Sequence, residues 1–205
     1  MNKDLEILLK ELEDIMDITL NSLINIDVSG IERIKNMDIN IYHKTKEIET
    51  KTINMILLYS PFAKDLRKLI TILKIIIDID RIGRYSYDIS LLIPAFAEKG
   101  HLGKPEIIPK MVEQTKKMVR IAIESFINEN AELAETLQKE DDVVDQLFSR
   151  LENAILSYMI QDNENLERGI KYMLIGKYLE RMADHAVNMG DNVIYMIKGE
   201  RRIKI

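Results

Sequence analysis

The sequence predicts an all-α protein of six helices, arranged as two tandem, pseudo-duplicated three-helix bundles. Apolar residues recur at three- and four-residue spacing over long segments, as they do on the buried face of an amphipathic helix. Glycine and proline are scarce, with eight and four residues in a chain of 205, whereas 31% of the residues are charged. This composition is typical of charged amphipathic helices rather than of turn-rich β structure.

Three helices are expected in the first half of the chain. The first ends near Asp27, ahead of the helix-breaking Gly30. The second fits about residues 30–58 and closes before Pro61, because proline disfavours helical geometry in the residue that precedes it. The third should run from about Pro61 to Leu92, since proline is tolerated in the first turn of a helix.

Residues 94–106 are expected to link an N-terminal bundle, residues 1–93, to a C-terminal bundle, residues 107–205. Three of the four prolines lie between Pro94 and Pro109, which is the densest cluster of helix breakers in the chain. Beyond the linker, the pattern predicts helices at about 107–127, at about 131–160, and from a break near 162 to about 198.

The two halves repeat one another in sequence. Residues 22–25, Ser-Leu-Ile-Asn, align with residues 125–128, Ser-Phe-Ile-Asn, at an offset of 103, and Asp80 aligns with Glu180 at an offset of 100. Self-similarity at such a long period indicates a duplicated domain, because the units of solenoid proteins are shorter. We therefore expect one bundle in each half.

Composition excludes several classes of function. The net charge of -5 leaves no basic stripe for nucleic acid. The absence of cysteine excludes disulfides, thiolate zinc sites and iron–sulfur clusters. The N-terminus lacks the pattern of a signal peptide, and the most apolar run, residues 69–79, is shorter than the ~20 residues that cross a bilayer. We expect a cytoplasmic protein without membrane insertion.

Two of the predicted helices carry oxygen-bearing side chains at four-residue spacing. Residues four apart lie on one face of a helix, so each set forms a single stripe. Clustered carboxylates repel one another unless a cation lies among them, and such stripes therefore suit hard or borderline cations. The stripes are Asp80 and Asp88 in the first half, with Arg84 at the position between them, and Glu180, Asp184 and Asn188 in the second half.

In the second half, the middle helix adds further carboxylates. Counting about 19 residues in each direction from the turn at Asn163 places Asp145 level with Glu180 and Asp184, because consecutive helices of a bundle run antiparallel. The alternative interpretation is a solvated charged face, stabilised by pairs of neighbouring charges. The predicted metal ligands are Asp145, Glu180, Asp184, Asn188 and Asp142, with Asp80 and Asp88 as a weaker set in the N-terminal repeat.

Motifs of the common enzyme classes are absent from the sequence. It contains no GxxxxGK[ST], GxGxxG or GxSxG motif. No ExxH pair lies on a predicted helix, as a di-iron oxidase of the ferritin type would require. His185 points about 100° away from Asp184 around the helix, so we expect a structural histidine rather than a ligand. The sequence therefore predicts that the protein is not an enzyme.

The run KYLERMADHAVNM, residues 177–189, resembles the C-terminal signature of the PhoU family of phosphate-transport regulators. Asp142-x-Val144-Asp145 resembles the acidic motif of the family's middle helix, and residues 80–83, Asp-Arg-Ile-Gly, resemble the metal motif of its first repeat. The resemblance covers essentially the whole chain. It implies two three-helix bundles, metal clusters of iron or zinc on the acidic stripes, and a role in restraining phosphate uptake and phosphate-starvation signalling.

The same resemblance implies partners. These are the ABC-type phosphate transporter, chiefly its ATPase subunit, and in bacteria a sensor histidine kinase. We also expect a homodimer.

The first half departs from the family pattern at two positions. Arg84 stands where an aspartate is expected, and Tyr42 stands where the second half has Asp145. A guanidinium repels a cation and pairs with carboxylates, for which Asp80 and Asp88 are the expected partners. We therefore expect metal in the C-terminal bundle, and a salt-bridged relic or a weak site in the N-terminal one.

Three functions compete at this point. The leading interpretation is a non-enzymatic regulator of phosphate uptake and phosphate homeostasis that carries a carboxylate-held metal. The alternative is a PhoU-like helical adaptor that serves a different transporter or a structural role without metal. A metallo-oxidase or hydrolase would need an enclosed pocket and histidine ligands, and the sequence supplies neither.

Overall fold

The computed structural model describes residues 2–103 and 106–200, and within these ranges it contains helices and turns but no strand. The predicted all-α class is therefore confirmed. The first half holds α1 (Asn2–Asn25), α2 (Gly30–Tyr59) and α3 (Ala63–Ser90). The second half holds α4 (Ile107–Ile127), α5 (Ala131–Glu135), α6 (Leu137–Gln161) and α7 (Leu166–Lys198). Short 3-10 turns occupy Ile93–Phe96 and Asn163–Asn165.

One predicted helix is divided in the structure. The sequence predicts a single helix over 131–160, whereas the short α5 and the long α6 meet at Thr136. The side chain of Asn130 caps the start of α5 by accepting a hydrogen bond from the backbone N–H of Leu133 at 3.0 Å. The hydroxyl of Thr136 donates to the carbonyl of Leu133 at 2.7 Å. The other predicted helix ends agree with the structure to within two residues.

The internal duplication extends to the backbone conformation of equivalent turns. Ile26 follows α1 with φ 54°, and Glu129 follows α4 with φ 48°. Both values lie in the left-handed region, which few non-glycine residues adopt. The two residues are 103 positions apart, the offset at which the sequence halves align. Each half therefore has the same strained turn directly after its first helix.

The two bundles share one core, with α3 and α7 packed side by side between them. Three contacts show that these helices are antiparallel. The Nε of Arg67 donates to the carbonyl of Met196 at 3.1 Å, and Lys74 donates to the Oδ1 of Asn192 at 3.1 Å. Further along, the Nδ1 of His185 lies 2.8 Å from the Oδ1 of Asp78. The buried apolar side chains of both halves form one continuous cluster, so the bundles fold against each other.

The predicted linker packs onto both halves. Phe96 and Leu102 are buried in the shared core. The Nε2 of His101 lies 3.0 Å from the carbonyl of Ile24 and must donate to it, so its Nδ1 accepts from the hydroxyl of Tyr172 at 2.5 Å. Burial raises the pKa of Tyr172, and its hydroxyl therefore keeps the proton that this hydrogen bond requires. Of the linker residues, only 104 and 105 lie outside the described ranges.

No described helix combines the length and the apolar character that a membrane span requires.

Because α3 and α7 are antiparallel, the α2–α3 turn and the α6–α7 turn lie at opposite ends of the molecule.

Candidate metal centre

Four carboxylates meet on one face of the C-terminal half, two from α6 and two from α7. Burial, together with the charges of Asp145 and Asp184, raises the pKa of Asp141 to about 6. Burial and the charges of Glu180 and Asp184 likewise raise the pKa of Asp145. The charges of Glu180 and Asp184 act on Asp145 from the neighbouring helix, so the three carboxylates lie near one another. We call Asp141, Asp145, Glu180 and Asp184 the C-terminal acidic face.

Asp141 is the member of this face that the sequence-based assignment missed. The sequence motif singles out Asp142, but the structure leaves Asp142 exposed and partly buries Asp141. Asp141 and Asp145 are four residues apart and therefore share the side of α6 that faces α7. The internal alignment could have revealed it, because the offset of 103 places Asp141 over another aspartate, Asp38. Asp142 lies at the rim, where its charge still contributes to the raised pKa of Asp141.

Two cations of α7 partly neutralise the C-terminal acidic face. Lys177 forms an ion pair with Glu180 one turn along the helix, and the Nη1 of Arg181 lies 3.6 Å from the Oδ2 of Asp184. Both cations are about half exposed, so these pairs contribute little stability. The Oε2 of Glu180 is buried and receives no well-aligned hydrogen bond despite its ion pair with Lys177. The Oε2 of Glu180 therefore lacks a well-aligned hydrogen-bond donor.

The chemistry of this donor set suits a metal, but its side chains are not gathered around one point. Within residues 2–103 and 106–200, no three histidine, aspartate or glutamate side chains are arranged closely enough to hold an ion. The donors are oxygens throughout, as hard and borderline cations prefer. Their mutual repulsion and the under-bonded Glu180 oxygen are features that a cation would relieve. Asn188, the remaining predicted ligand, lies one turn beyond Asp184 and is partly buried.

The equivalent face of the N-terminal half already contains a cation. Asp38 of α2 is only 2% exposed, and its Oδ2 lies 3.2 Å from the Nη1 of Arg84 on α3. Burial raises the pKa of Asp38, Arg84 opposes this shift, and the charges of Asp80 and Asp88 add to it. We call Asp38, Asp80, Arg84 and Asp88 the N-terminal face. The sequence predicts that Arg84 pairs with the two aspartates of its own helix, but its ion pair is with Asp38 on the neighbouring helix.

Tyr42 occupies the position that Asp145 has in the second half. Its ring is 45% exposed and makes an edge contact with the ring of His43, at 5.6 Å between centroids. The ammonium of Lys46 lies 5.7 Å from the same ring. The N-terminal face therefore lacks a carboxylate where the C-terminal face has one.

Small residues let the helices approach closely beneath both faces. A Cβ at Gly83 would lie 3.3 Å from the side chain of Ile41, which is tighter than ordinary packing. The equivalent position in the second half, at an offset of 100, is the buried Ala183. At Gly83 the close approach of α2 and α3 accompanies the ion pair between Asp38 and Arg84, and the buried Ala183 occupies the same place in the second half.

His185 links the two bundles and does not join the acidic face. Its Nδ1 pairs with Asp78 of α3, and its ring lies 5.9 Å from that of Tyr85. Tyr85 in turn stacks on Tyr178 at 5.5 Å between centroids. The structural role expected for His185 from its direction on the helix agrees with these contacts.

The fold and the faces together define a class: a duplicated helical-bundle protein with one carboxylate-rich face in each half. A family model described as the PhoU domain matches residues 5–93 and again residues 108–193. These two matches cover most of the chain, and the protein belongs to the PhoU family.

Curated relatives and solved structures agree with this assignment. The chain is 32% identical over 169 residues to a phosphate-specific transport system accessory protein PhoU homolog of Clostridium acetobutylicum, covering 82% of this chain and 77% of the relative. It is 33% identical to a homolog of the same name from Aquifex aeolicus, covering 93% and 86%. The crystal structure of PhoU from Pseudomonas aeruginosa superposes with a TM-score of 0.89 at 26% identity, covering 97% of this chain and 95% of that one.

Proposed function

We propose that this protein is a non-enzymatic accessory regulator of phosphate transport that acts in the cytoplasm. The observation that carries the proposal is the match of both halves to the PhoU domain, in relatives that are named accessory proteins of the phosphate-specific transport system. The proposed partners are the phosphate ABC transporter, through its ATPase subunit, and a sensor kinase, with the protein acting as a homodimer.

The proposal includes a metal ion, of iron or zinc, on the C-terminal acidic face. Asp141, Asp145, Glu180 and Asp184 would hold it, with Asn188 and Asp142 at the edges. A bound cation supplies positive charge that can attract an anion such as phosphate to an otherwise acidic surface. Lys177 and Arg181, which now pair with two of the carboxylates, would move aside to admit it. The gathering of four carboxylates on one face supports this site, because a cation among them would relieve the repulsion that adds to burial in raising the pKa of Asp141.

Phosphate uptake in a deletion strain tests the regulatory function. We expect cells without the gene to continue to take up phosphate in phosphate-rich medium, and the wild-type gene to restore the restraint. Purified protein should also retain the transporter's ATPase subunit on an affinity column. Normal uptake control in the deletion strain would refute the proposal.

Elemental analysis of purified variants tests the metal site. We expect a Glu180→Ala, Asp184→Ala double variant to lose its iron or zinc. The matched control is the double variant Asp80→Ala, Asp88→Ala, which removes two carboxylates from the first half. This control should keep its iron or zinc. Equal metal content in the wild type and the first variant would remove this site assignment.

A second candidate is a PhoU-like adaptor that serves a different transporter, or a structural role, without metal. The observation in its favour is that no three ligands converge in the described residues. If a metal-free protein still restores the control of phosphate uptake, the result would support an adaptor that needs no metal. Normal phosphate uptake in the deletion strain, with a defect in another transport activity, would support a different transporter.

A further inference from the structure

The end of the molecule formed by the α2–α3 turn carries an exposed apolar tip. Its four most exposed large side chains are Leu57, Leu58, Tyr59 and Phe62, at 72%, 76%, 75% and 83%. Isolated exposed apolar residues are normal on protein surfaces, but a contiguous group of this kind marks an interaction site. We call residues 53–63 the apolar tip.

The tip protrudes because the last turns of α2 extend beyond the shared core. Thr52 is the last buried residue of α2, and the next buried position along the chain is Leu69. Between them, Ser60 and Ala63 adopt left-handed backbone conformations with φ of 42° and 45°. These two residues make the turn sharp, with the exposed Phe62 between them.

Leu57, Leu58 and Tyr59 follow one another on the last turn of α2, and consecutive residues are about 100° apart around a helix. Their apolar side chains therefore surround the end of the helix instead of forming one stripe. A helix that packs into a protein groove presents a single apolar stripe at i, i+3, i+4 and i+7. The end of α2 is convex and apolar on all sides, so a protein groove would cover only part of it. The interfacial layer of a bilayer can surround such an end.

Charge distinguishes this tip from its counterpart at the other end of the molecule. Residues 52–63 include no charged side chain, and the window 51–68 holds four cations and one carboxylate, a net charge of +3. With offsets of 103 before the turn and 100 after it, the equivalent window is 154–168, which holds one cation and three carboxylates, a net charge of -2. Lys64 and Lys68 share Glu129 at 2.6 and 2.9 Å, and Lys51 lies 3.8 Å from Asp4. With Glu129 and Asp4 counted, the apolar tip and its surroundings keep a net charge of +1, on a chain of net charge -5.

We propose that the apolar tip docks on the surface of an anionic lipid bilayer, with Leu58, Tyr59 and Phe62 reaching the interfacial layer. Aromatic side chains are favoured at that depth, and flanking lysines are attracted to anionic headgroups. None of the helices in residues 2–103 and 106–200 could span the membrane. The proposal therefore replaces the sequence-based expectation of no membrane insertion with shallow contact of the apolar tip at the bilayer surface. The inference goes beyond the proposed function and does not depend on the metal.

The chain contains no tryptophan, so a single tryptophan placed at the tip is a unique fluorescent reporter. We expect Phe62→Trp emission to shift to the blue when the full-length protein is mixed with vesicles of phosphatidylcholine containing about one quarter phosphatidylglycerol. The shift should weaken with pure phosphatidylcholine vesicles and at high salt. The matched control is Ile160→Trp at the opposite tip, since Ile160 is also 83% exposed. Its emission should not change.

Vesicle flotation supplies a second measurement that needs no new fluorophore. We expect Leu58→Ser, Phe62→Ser to lower binding to the anionic vesicles at least tenfold. Ile160→Ser, Ile170→Ser, which removes two exposed apolar side chains from the other end, should leave it within about twofold. Circular dichroism spectra equal to that of the wild type are the check that both variants are folded.

Three results would overturn the proposal. The first is equal behaviour of the two tips towards vesicles. The second is a Phe62→Trp shift that depends on protein concentration without vesicles, because it would mean that a second copy covers the tip. The third is a shift that needs the purified transporter ATPase subunit and no lipid, because it would identify a protein partner instead.

Discussion

The two acidic faces occupy equivalent places in the duplicated fold but balance their charge differently. In the N-terminal half, the guanidinium of Arg84 pairs with the buried Asp38 at 3.2 Å. In the C-terminal half, Asp184 stands where Arg84 would be, and the repulsion that results helps to raise the pKa of Asp141 to about 6. The N-terminal face has a cation at the centre of its row that pairs with a buried aspartate of the neighbouring helix, whereas the cations of the C-terminal face pair with carboxylates of their own helix.

The difference shows how a duplicated site can lose its need for an external ion. A covalently attached cation is always present and loses no freedom of translation when it pairs. A carboxylate at the same position instead adds negative charge beside Asp141, which a cation from solution would balance. The comparison therefore predicts that metal binds in one half only, and that residue 84 decides which.

The largest expected effect follows from Arg84→Asp. This change gives α3 a carboxylate row like that of α7, facing Asp38 but with Tyr42 where the second half has Asp145, and we expect the metal content of the purified protein to rise by up to about twofold. The control is Arg81→Asp, which makes the same charge change at an exposed position of the same helix. Elemental analysis that finds no gain in the first variant, or an equal gain in both, would contradict the role of residue 84.

The next largest effect concerns stability. Replacing Arg84 with methionine leaves Asp38 buried without its partner, and we expect a loss of about 2 kcal/mol in the free energy of unfolding at pH 7.5. Burial already raises the pKa of Asp38, and removing Arg84 raises it further. The loss should therefore be present at neutral pH and shrink on acidification, as Asp38 takes up a proton.

Urea denaturation of the variant series measures this loss. In the Arg84→Met background, Asp38→Asn should recover most of the lost stability, because the amide is neutral. If the double variant Arg84→Met, Asp38→Asn is no more stable than Arg84→Met alone, Arg84 stabilises the protein through packing of its side chain and not through its charge.

A smaller effect of opposite sign is expected for Asp141→Asn in the metal-free protein. Burial and the neighbouring carboxylates raise the folded-state pKa of Asp141 to about 6, from an ordinary value of 3.8. Its protonated form therefore favours folding below about pH 4, and this contribution is lost as the pH rises through 6. The asparagine should stabilise the protein by about 1 kcal/mol above pH 7 and by nothing below pH 4.

Thermal unfolding across this pH range measures the effect, with Asp142→Asn as the exposed control. Saturating iron or zinc should reverse the sign, since the wild type gains a ligand that the variant lacks. A stabilisation that does not change with pH would mean that charge is not the cause.

The smallest effect is expected for Lys177→Met. Lys177 competes with a metal for Glu180, so its removal should raise metal affinity by a factor of about three to ten. Isothermal titration of the metal-free protein measures this directly. Lys171→Met removes the same charge nearly two turns away on the same helix and should change the affinity less. An unchanged affinity for Lys177→Met would show that this ion pair does not compete.

Much of the fold follows from local sequence signals. Helical periodicity, Gly30, Pro61 and the breakers after Pro94 locate most of the helix ends to within two residues. The division at Thr136 escaped prediction because the charged and apolar pattern continues across it. At this point both the hydroxyl and the backbone N–H of Thr136 donate to the carbonyl of Leu133, a local contact that periodicity does not reveal.

The sequence by itself determined the duplication, the carboxylate rows on α3 and α7, and the presence of Arg84 at the position where the second half has Asp184. It did so because spacing along one helix fixes which residues share a face. Only the tertiary structure decided that Asp141 and not Asp142 turns inward, that Arg84 pairs with Asp38 across the helix interface, and that the end of α2 protrudes beyond the core. These outcomes depend on how each helix is rotated and shifted against its neighbours. That arrangement is set by packing of the shared core, which no single helix encodes.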